Sequence, residues 1–244
     1  MKKKIAPKTK QSLINLIQKE IDKHGYECDL NHIDVSNIKD MEHLFREAHY
    51  NGTISQFNGN ISEWDVSNVT NMACMFWGSE FKGDISKWNI SKVKKMGAMF
   101  RDSKFDNDIS DWDVSNVSEM IGMFYESQFN GDISQWDVSN VKNMSHMFYI
   151  SQFNQDISNW NVSNVEDMTK MFCRSQFIFN LSNWKPFNLN EYEYLFSNCK
   201  AKIPYWTKFD DKEKRNMAIN KYWIAKDLQD ELSNTQSLSK KMKI

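Results

Sequence analysis

Six tryptophans, Trp64, Trp88, Trp112, Trp136, Trp160 and Trp184, are separated by intervals of 24 residues each. Other apolar columns keep the same register. Val66, Ile90, Val114, Val138 and Val162 follow two positions after a Trp, and Val69, Val93, Val117, Val141 and Val165 five positions after. Methionine fills positions 72, 96, 120, 144 and 168, and again 75, 99, 123, 147 and 171. Phenylalanine follows at 76, 100, 124, 148, 172 and 196, and again at 81, 105, 129, 153 and 177. The unit reads F-N-G-D-I-S-x-W-D-V-S-N-V-x-x-M-x-x-M-F-x-x-S-x. Within it, Ile61, Trp64 and Val66 form a β-prone stretch with Trp and Val alternating inward. Val69, Met72, Met75 and Phe76 then stand at i, i+3, i+6 and i+7, the apolar face of a helix of about two turns, with Ser67 or Asn68 as its cap.

A fixed period of this length is the mark of a stacked architecture. One unit offers about eight apolar side chains, each giving roughly 1.5–3 kcal/mol on full burial. Ordering its backbone costs about 1–2 kcal/mol per residue. A lone unit therefore does not fold, and stability must come from interfaces between neighbouring units. The fold expected is an α/β repeat solenoid, leucine-rich-repeat-like, of about seven short strand–short helix coils over residues 26–200. Its Trp, Met and Phe columns form the core. Asn and Ser columns hydrogen-bond backbone groups of the adjacent coil. Parallel strands stack more closely than helices, so the strand side is expected to be concave. An earlier, degenerate copy runs from Asp34 to Phe45, with Ile33 in the Trp column. Seven extra residues separate it from the next copy and are read as a loop near 46–56.

Such a stack needs closed ends. Thr9 or Ser12 can start a helix with Leu13, Leu16, Ile17 and Ile21 on one face, ended by Gly25, so residues 1–25 are read as an N-terminal cap. At the other end Lys185-Pro186-Phe187-Asn188 replaces the D-V-S-N pattern. Asp210 or Asp211 can open a helix carrying Met217, Ile219, Tyr222, Trp223, Ile224 and Leu228. Residues 201–232 are read as the C-terminal cap and 233–244 as a loose tail.

The repeat, as in FNGDISQWDVSNVKNMSHMF, resembles that of the BspA-like leucine-rich-repeat proteins, a bacterial family that includes many surface proteins and mycoplasma lipoproteins. The likeness covers roughly residues 26–200. It implies a scaffold that binds proteins or surfaces, and it brings no catalytic residues.

Composition narrows the function classes. The 244 residues carry 31 basic and 32 acidic side chains, a balance that argues against a dedicated nucleic-acid binder. Five lysines lie among the first ten residues, while 60–183 carries 16 acidic and 10 basic side chains. A solvated lysine run is the ordinary reading. No apolar stretch is long enough to span a membrane, and no apolar segment follows the basic start, so a cytoplasmic location is expected. Cys28, Cys74, Cys173 and Cys199 lack metal-like spacing and read as reduced thiols. The 8 Gly and 3 Pro are fewer than a fold built from tight turns usually has.

Candidate chemistry is sparse. His24, Cys28 and His32 would share a helix face, but Gly25 interrupts that helix, so no metal is expected. Asp84, Asp108, Asp132 and Asp156 recur every 24 residues and read as turn formers bonded to their own backbone. No nucleophile–base pair is legible, and no cofactor is expected. The variable columns are the better candidates, because the scaffold does not dictate them. Trp77, Arg101, Tyr125 and Tyr149 occupy one column of consecutive coils and would form a ridge of the residue types that dominate protein interfaces. His146 and Arg174 join them as candidate partner-binding residues. The reading is a non-enzymatic protein-binding scaffold with an unidentified protein partner. The alternatives are an exported adhesin, and an enzyme or a cytosolic inhibitor or immunity-type protein acting from the 46–56 loop or the C-terminal helix.

Overall fold

The computed structural model describes residues 4–46 and 54–241, the side chains of 236–241 excepted. Positions 1–3 of the expected N-terminal cap, 47–53 of the expected 46–56 loop and 242–244 of the expected tail lie outside the described residues.

The 24-residue unit folds as a closed chain of tight turns. Among the described residues between α1 (Lys10–His24) and α2 (Lys212–Lys241) there is no α-helix and no continuous strand. The described residues there hold only two short 3-10 turns, Ile54–Gln56 and Tyr205–Lys208. In one coil Trp64 N–H donates to Ile61 C=O at 3.2 Å, Val69 to Val66 at 2.9 Å, Met75 to Met72 at 3.2 Å and Ser79 to Phe76 at 3.1 Å. Each is an i to i+3 turn bond. The strand expected at 61–66 and the helix expected at 69–76 are both replaced by these turns. The reason lies in the burial pattern. Successive i to i+3 turns return every third or fourth residue to one face, as a helix does, so Val69, Met72, Met75 and Phe76 are all buried without a helix. With no helical layer, the spacing argument for a concave strand side has no basis.

Neighbouring coils are joined by a parallel hydrogen-bond ladder. Its single-residue bridges run Asp40–Asn71–Lys95–Glu119–Asn143–Asp167–Glu191. Alternate amides of one coil donate to the next: Met72 to Lys95 C=O at 2.9 Å, Cys74 to Gly97 at 2.8 Å, Phe76 to Met99 at 2.9 Å and Gly78 to Arg101 at 2.8 Å. This explains how a turn-built fold manages with few glycines. Positions 43, 74, 98, 146, 170 and 194, and 102, 126, 150, 174 and 198, are non-glycine residues with φ between 52° and 61°. A left-handed residue costs roughly 1–2 kcal/mol. In the inner coils its amide is held by the adjacent coil, as for Ala98 to Ile121 C=O at 2.7 Å, and this bond offsets the strain.

The columns become stacks in the interior. Phe45, Phe76, Phe100, Phe124, Phe148, Phe172 and Phe196 follow one another with ring centroids 5.4–5.9 Å apart. Phe81, Phe105, Phe129, Phe153 and Phe177 do so at 6.3–6.4 Å. Trp64 lies 6.4 Å from Trp88, and Trp160 lies 6.5 Å from Trp184. Each repeat indole is buried and donates its Nε1–H to the previous coil, Trp88 to Ile61 C=O at 3.2 Å and Trp112 to Ile85 at 3.1 Å. The Asn column bridges coils as well, Asn116 Nδ2–H donating to Ser91 C=O at 2.8 Å and Asn140 to Ser115 at 2.7 Å. Buried Ser79, Ser103, Ser127 and Ser151 accept from the amide two residues on in their own coil, and Ser79 Oγ also donates to Ser55 C=O of the adjacent coil at 3.2 Å. The recurring Asp does the same at the surface, Asp84 Oδ1 accepting from Ser86 N–H at 2.9 Å.

Both ends are covered. Thr9 caps α1 by accepting from Ser12 N–H at 3.1 Å, while Ser12 Oγ accepts from Thr9 N–H at 3.0 Å. Leu13, Ile17 and Ile21 are buried, and Gly25 ends the helix at φ 83°. At the far end Trp206 takes the place a seventh repeat Trp would have, its Nε1–H reaching Leu181 C=O at 3.3 Å. α2 is pinned over the last coil by buried Ile219 and by Arg215, which donates to the carbonyls of Leu189 and Phe209. Asn216 and Lys226 add bonds to Phe187 C=O at 3.1 Å and Asn183 Oδ1 at 3.0 Å. α2 continues to Lys241, past residue 232 where the expected cap stops and into the expected loose tail.

Candidate functional site

The surface column chosen from the sequence is a stacked row. Trp77, Arg101, Tyr125 and Tyr149 follow the buried Phe76, Phe100, Phe124 and Phe148 by one residue, so the ladder that fixes each Phe projects the next side chain outward. The Arg101 guanidinium carbon lies 4.5 Å from the Trp77 ring centre and 4.0 Å from that of Tyr125. Tyr125 stacks on Tyr149 at 4.8 Å. All four are half-buried.

A fifth member escaped the sequence reading. Arg46 holds the same place after Phe45, and its guanidinium carbon lies 3.8 Å from the Trp77 ring centre. Seven extra residues put it outside the 24-residue comb. Aligning Phe45 with Phe76 is the signal that finds it. The row therefore alternates as Arg, Trp, Arg, Tyr, Tyr. It stops at the next coil, where Cys173 is buried.

His146 sits beside the row, its ring centre 5.7 Å from that of Tyr149 and 6.3 Å from that of Tyr125. Arg174 is not brought to it. It lies one position further on, exposed, in the column of Gly78, Asp102, Glu126 and Ile150, and makes no contact with the row among the described interactions.

Between the large side chains the surface dips. Ala98 and Gly122 leave a depression of about 310 Å³, lined also by Arg101, Ile121, Tyr125, His146 and Tyr149. Ile121 is exposed at its edge. Burial lowers the His146 pKa, helped by the Lys170 charge, so the imidazole is neutral near pH 7 and offers one donor and one acceptor. Burial raises the Tyr125 pKa, with Glu126 adding to it, so its hydroxyl keeps its proton. The Arg101 guanidinium makes no hydrogen bond or ion pair among the described residues and is held by the flanking rings. Stacking holds its plane while leaving its N–H edges to solvent. Chemically the row offers a flat apolar surface, a shallow apolar hole and a fixed cation.

The other sequence candidates fall elsewhere. His24 Nε2 and His32 Nε2 approach Glu20 Oε2 at 3.9 and 3.5 Å, and burial raises the Cys28 pKa. Among the described residues no group of three or more His, Cys, Asp or Glu is placed to hold a metal ion. All four cysteines are free thiols. No helix among the described residues is long and apolar enough to cross a membrane.

Comparison with known proteins places the repeat in a family. The model of a family described as Mycoplasma protein of unknown function, DUF285, matches four overlapping stretches, 15–128, 53–152, 103–209 and 126–235. Together they span most of the chain, which belongs to that family. No curated protein and no solved structure matches it.

Proposed function

We propose that this member of the DUF285 family is a non-catalytic scaffold that captures another protein on the Arg46–Tyr149 row. The observation that carries the reading is the stacking itself. Arg101 is sandwiched between Trp77 and Tyr125, which lowers the entropy it loses on binding. Interfaces concentrate their energy in Trp, Tyr and Arg side chains that are already ordered. The depression over Ala98 and Gly122 suits an aliphatic or aromatic side chain, and Arg101 suits a carboxylate beside it. The partner segment this favours has an apolar anchor flanked by Asp or Glu. The same repeat register supports a place among BspA-like repeats, and on a cell surface the same face would serve an adhesin.

The test compares wild type with an Arg101→Ala, Tyr149→Ala double variant, each immobilised and exposed to lysate of the native cell, with bound proteins quantified by mass spectrometry. Loss of two hot-spot side chains is expected to deplete specific captured proteins by about tenfold or more, the equivalent of about 1.4 kcal/mol. Circular dichroism melting should show the variant still folded. A folded variant that captures the same proteins at the same level would refute the reading.

A further inference from the structure

The outer face of α2 carries an apolar stripe that is left exposed among the described residues. Met217, Ile224, Leu228 and Leu232 are 66, 62, 56 and 64% exposed. Their spacing of 7, 4 and 4 residues keeps them on one side of a helix, with Ala225 and the Lys221 stem between them. Met217, Asn220, Lys221, Ile224, Ala225 and Leu228 line a shallow groove there. The opposite face is already used, by Arg215, Ile219 and Lys226 against the last coil. From Asp227 to Thr235 every residue is exposed, so this half of the helix projects past the coils. An isolated helical segment of that length is marginal in water and draws its stability from packing.

Charge selects the occupant. The anchored half, 212–226, carries five basic residues and one acidic, and the projecting segment 227–235 carries three acidic residues and no basic one. A second copy laid parallel would set like charge beside like charge. Laid antiparallel, it sets the basic half of each helix along the acidic half of the other. The stripe is also matched to itself in that sense. With Met217 opposite Leu232, Lys221 falls opposite Leu228 and Ile224 opposite Ala225, over a length of about 22 Å. We propose that α2 pairs antiparallel with α2 of a second copy along Met217–Leu232, making the protein a two-fold dimer that presents two binding rows. A two-fold antiparallel contact buries the same patch on both copies and closes on itself.

The experiment uses the full chain. Sedimentation equilibrium from low to high micromolar concentration should give a mass about twice 28.9 kDa. A Leu228→Gln, Leu232→Gln double variant should sediment as a monomer with its coil melting unchanged, because both side chains are more than half exposed. For orientation, a Met217→Cys variant is mixed with a Leu232→Cys variant under mild oxidation and the cross-linked peptides are mapped. Cross-links between the two variants, and not within either one, are expected. A wild type that is monomeric throughout, a double variant that still dimerises, or cross-links joining like positions would each overturn the proposal.

Discussion

Removing Trp112 tests the stack at its centre. The indole is 3% exposed and lies 6.2 Å from the Phe100 ring. It donates its Nε1–H to Ile85 C=O at 3.1 Å. Trp112→Ala forfeits the buried ring and leaves a cavity, about 3–5 kcal/mol at a site that cannot collapse. Collapse is opposed here because the coils above and below are fixed by the backbone ladder on either side. The Ile85 carbonyl is not orphaned, since it also accepts from Trp88 N–H at 3.1 Å. Losing its second donor adds only about 0.5–1.5 kcal/mol. The total, about 3.5–6.5 kcal/mol, approaches the whole stability of an ordinary domain. Trp112→Phe keeps most of the ring and loses the bond, so about 1–3 kcal/mol is expected. Equilibrium urea unfolding followed by tryptophan fluorescence and circular dichroism measures both. A lower urea slope in the Ala variant would show the stack parting at the damaged interface, as nearest-neighbour coupling allows. An Ala variant that loses less than about 1 kcal/mol would refute a tightly packed indole column.

Two further outcomes follow from the turns. The carboxyls of Asp65 and Asp137 are held below their usual range by the hydroxyl and amide of the serine two residues on, and those of Asp84 and Asp108 by the amide and then the hydroxyl. A lowered carboxyl pKa contributes stability that is present above the unfolded value near 3.9 and lost as pH falls through the folded value. Melting temperature should therefore drop below about pH 4. Asp65→Asn, Asp84→Asn and Asp137→Asn together should flatten that drop while keeping the fold, since Asn89 and Asn161 make the same turn bond in the column of Asp65 and Asp137, and Asn60 in that of Asp84. An unchanged acid limb would count against the turn carboxylates. Separately, Asp102 sits at φ 52° where Gly78 stands one coil earlier. Asp102→Gly should raise stability by up to about 1 kcal/mol, strain relief exceeding the added chain entropy. The same change at exposed Lys104, outside the positive-φ set, should lower it by about 0.5–1 kcal/mol. Equal losses at the two sites in thermal melts would show that the left-handed turns carry no strain.

What lines the interior could be read from the chain alone. Trp112, Met120, Met123 and Phe124 stand in columns 24 residues apart and are buried as that spacing demands, because identical residues in identical coils must face the same way. The same logic placed Trp77, Arg101, Tyr125 and Tyr149 in one surface row. Secondary structure was not legible, since the three- and four-residue steps from Val69 to Phe76 suit a helix and a run of i to i+3 turns equally. Only the stack decides between them. An adjacent coil offers the carbonyls of Lys95, Gly97 and Met99 to the amides of Met72, Cys74 and Phe76, which keeps those amides out of helical bonds. The same ladder holds Cys74 and Ala98 left-handed, a conformation that neither residue type announces. Arg46 could be reached by aligning Phe45 with Phe76 across seven extra residues, and the phenylalanine stack shows that this alignment is the physical one. Which side chains are inside was thus a property of the repeat, and how the backbone turns to put them there was a property of the neighbouring coil, because half of its hydrogen-bonding partners belong to that neighbour.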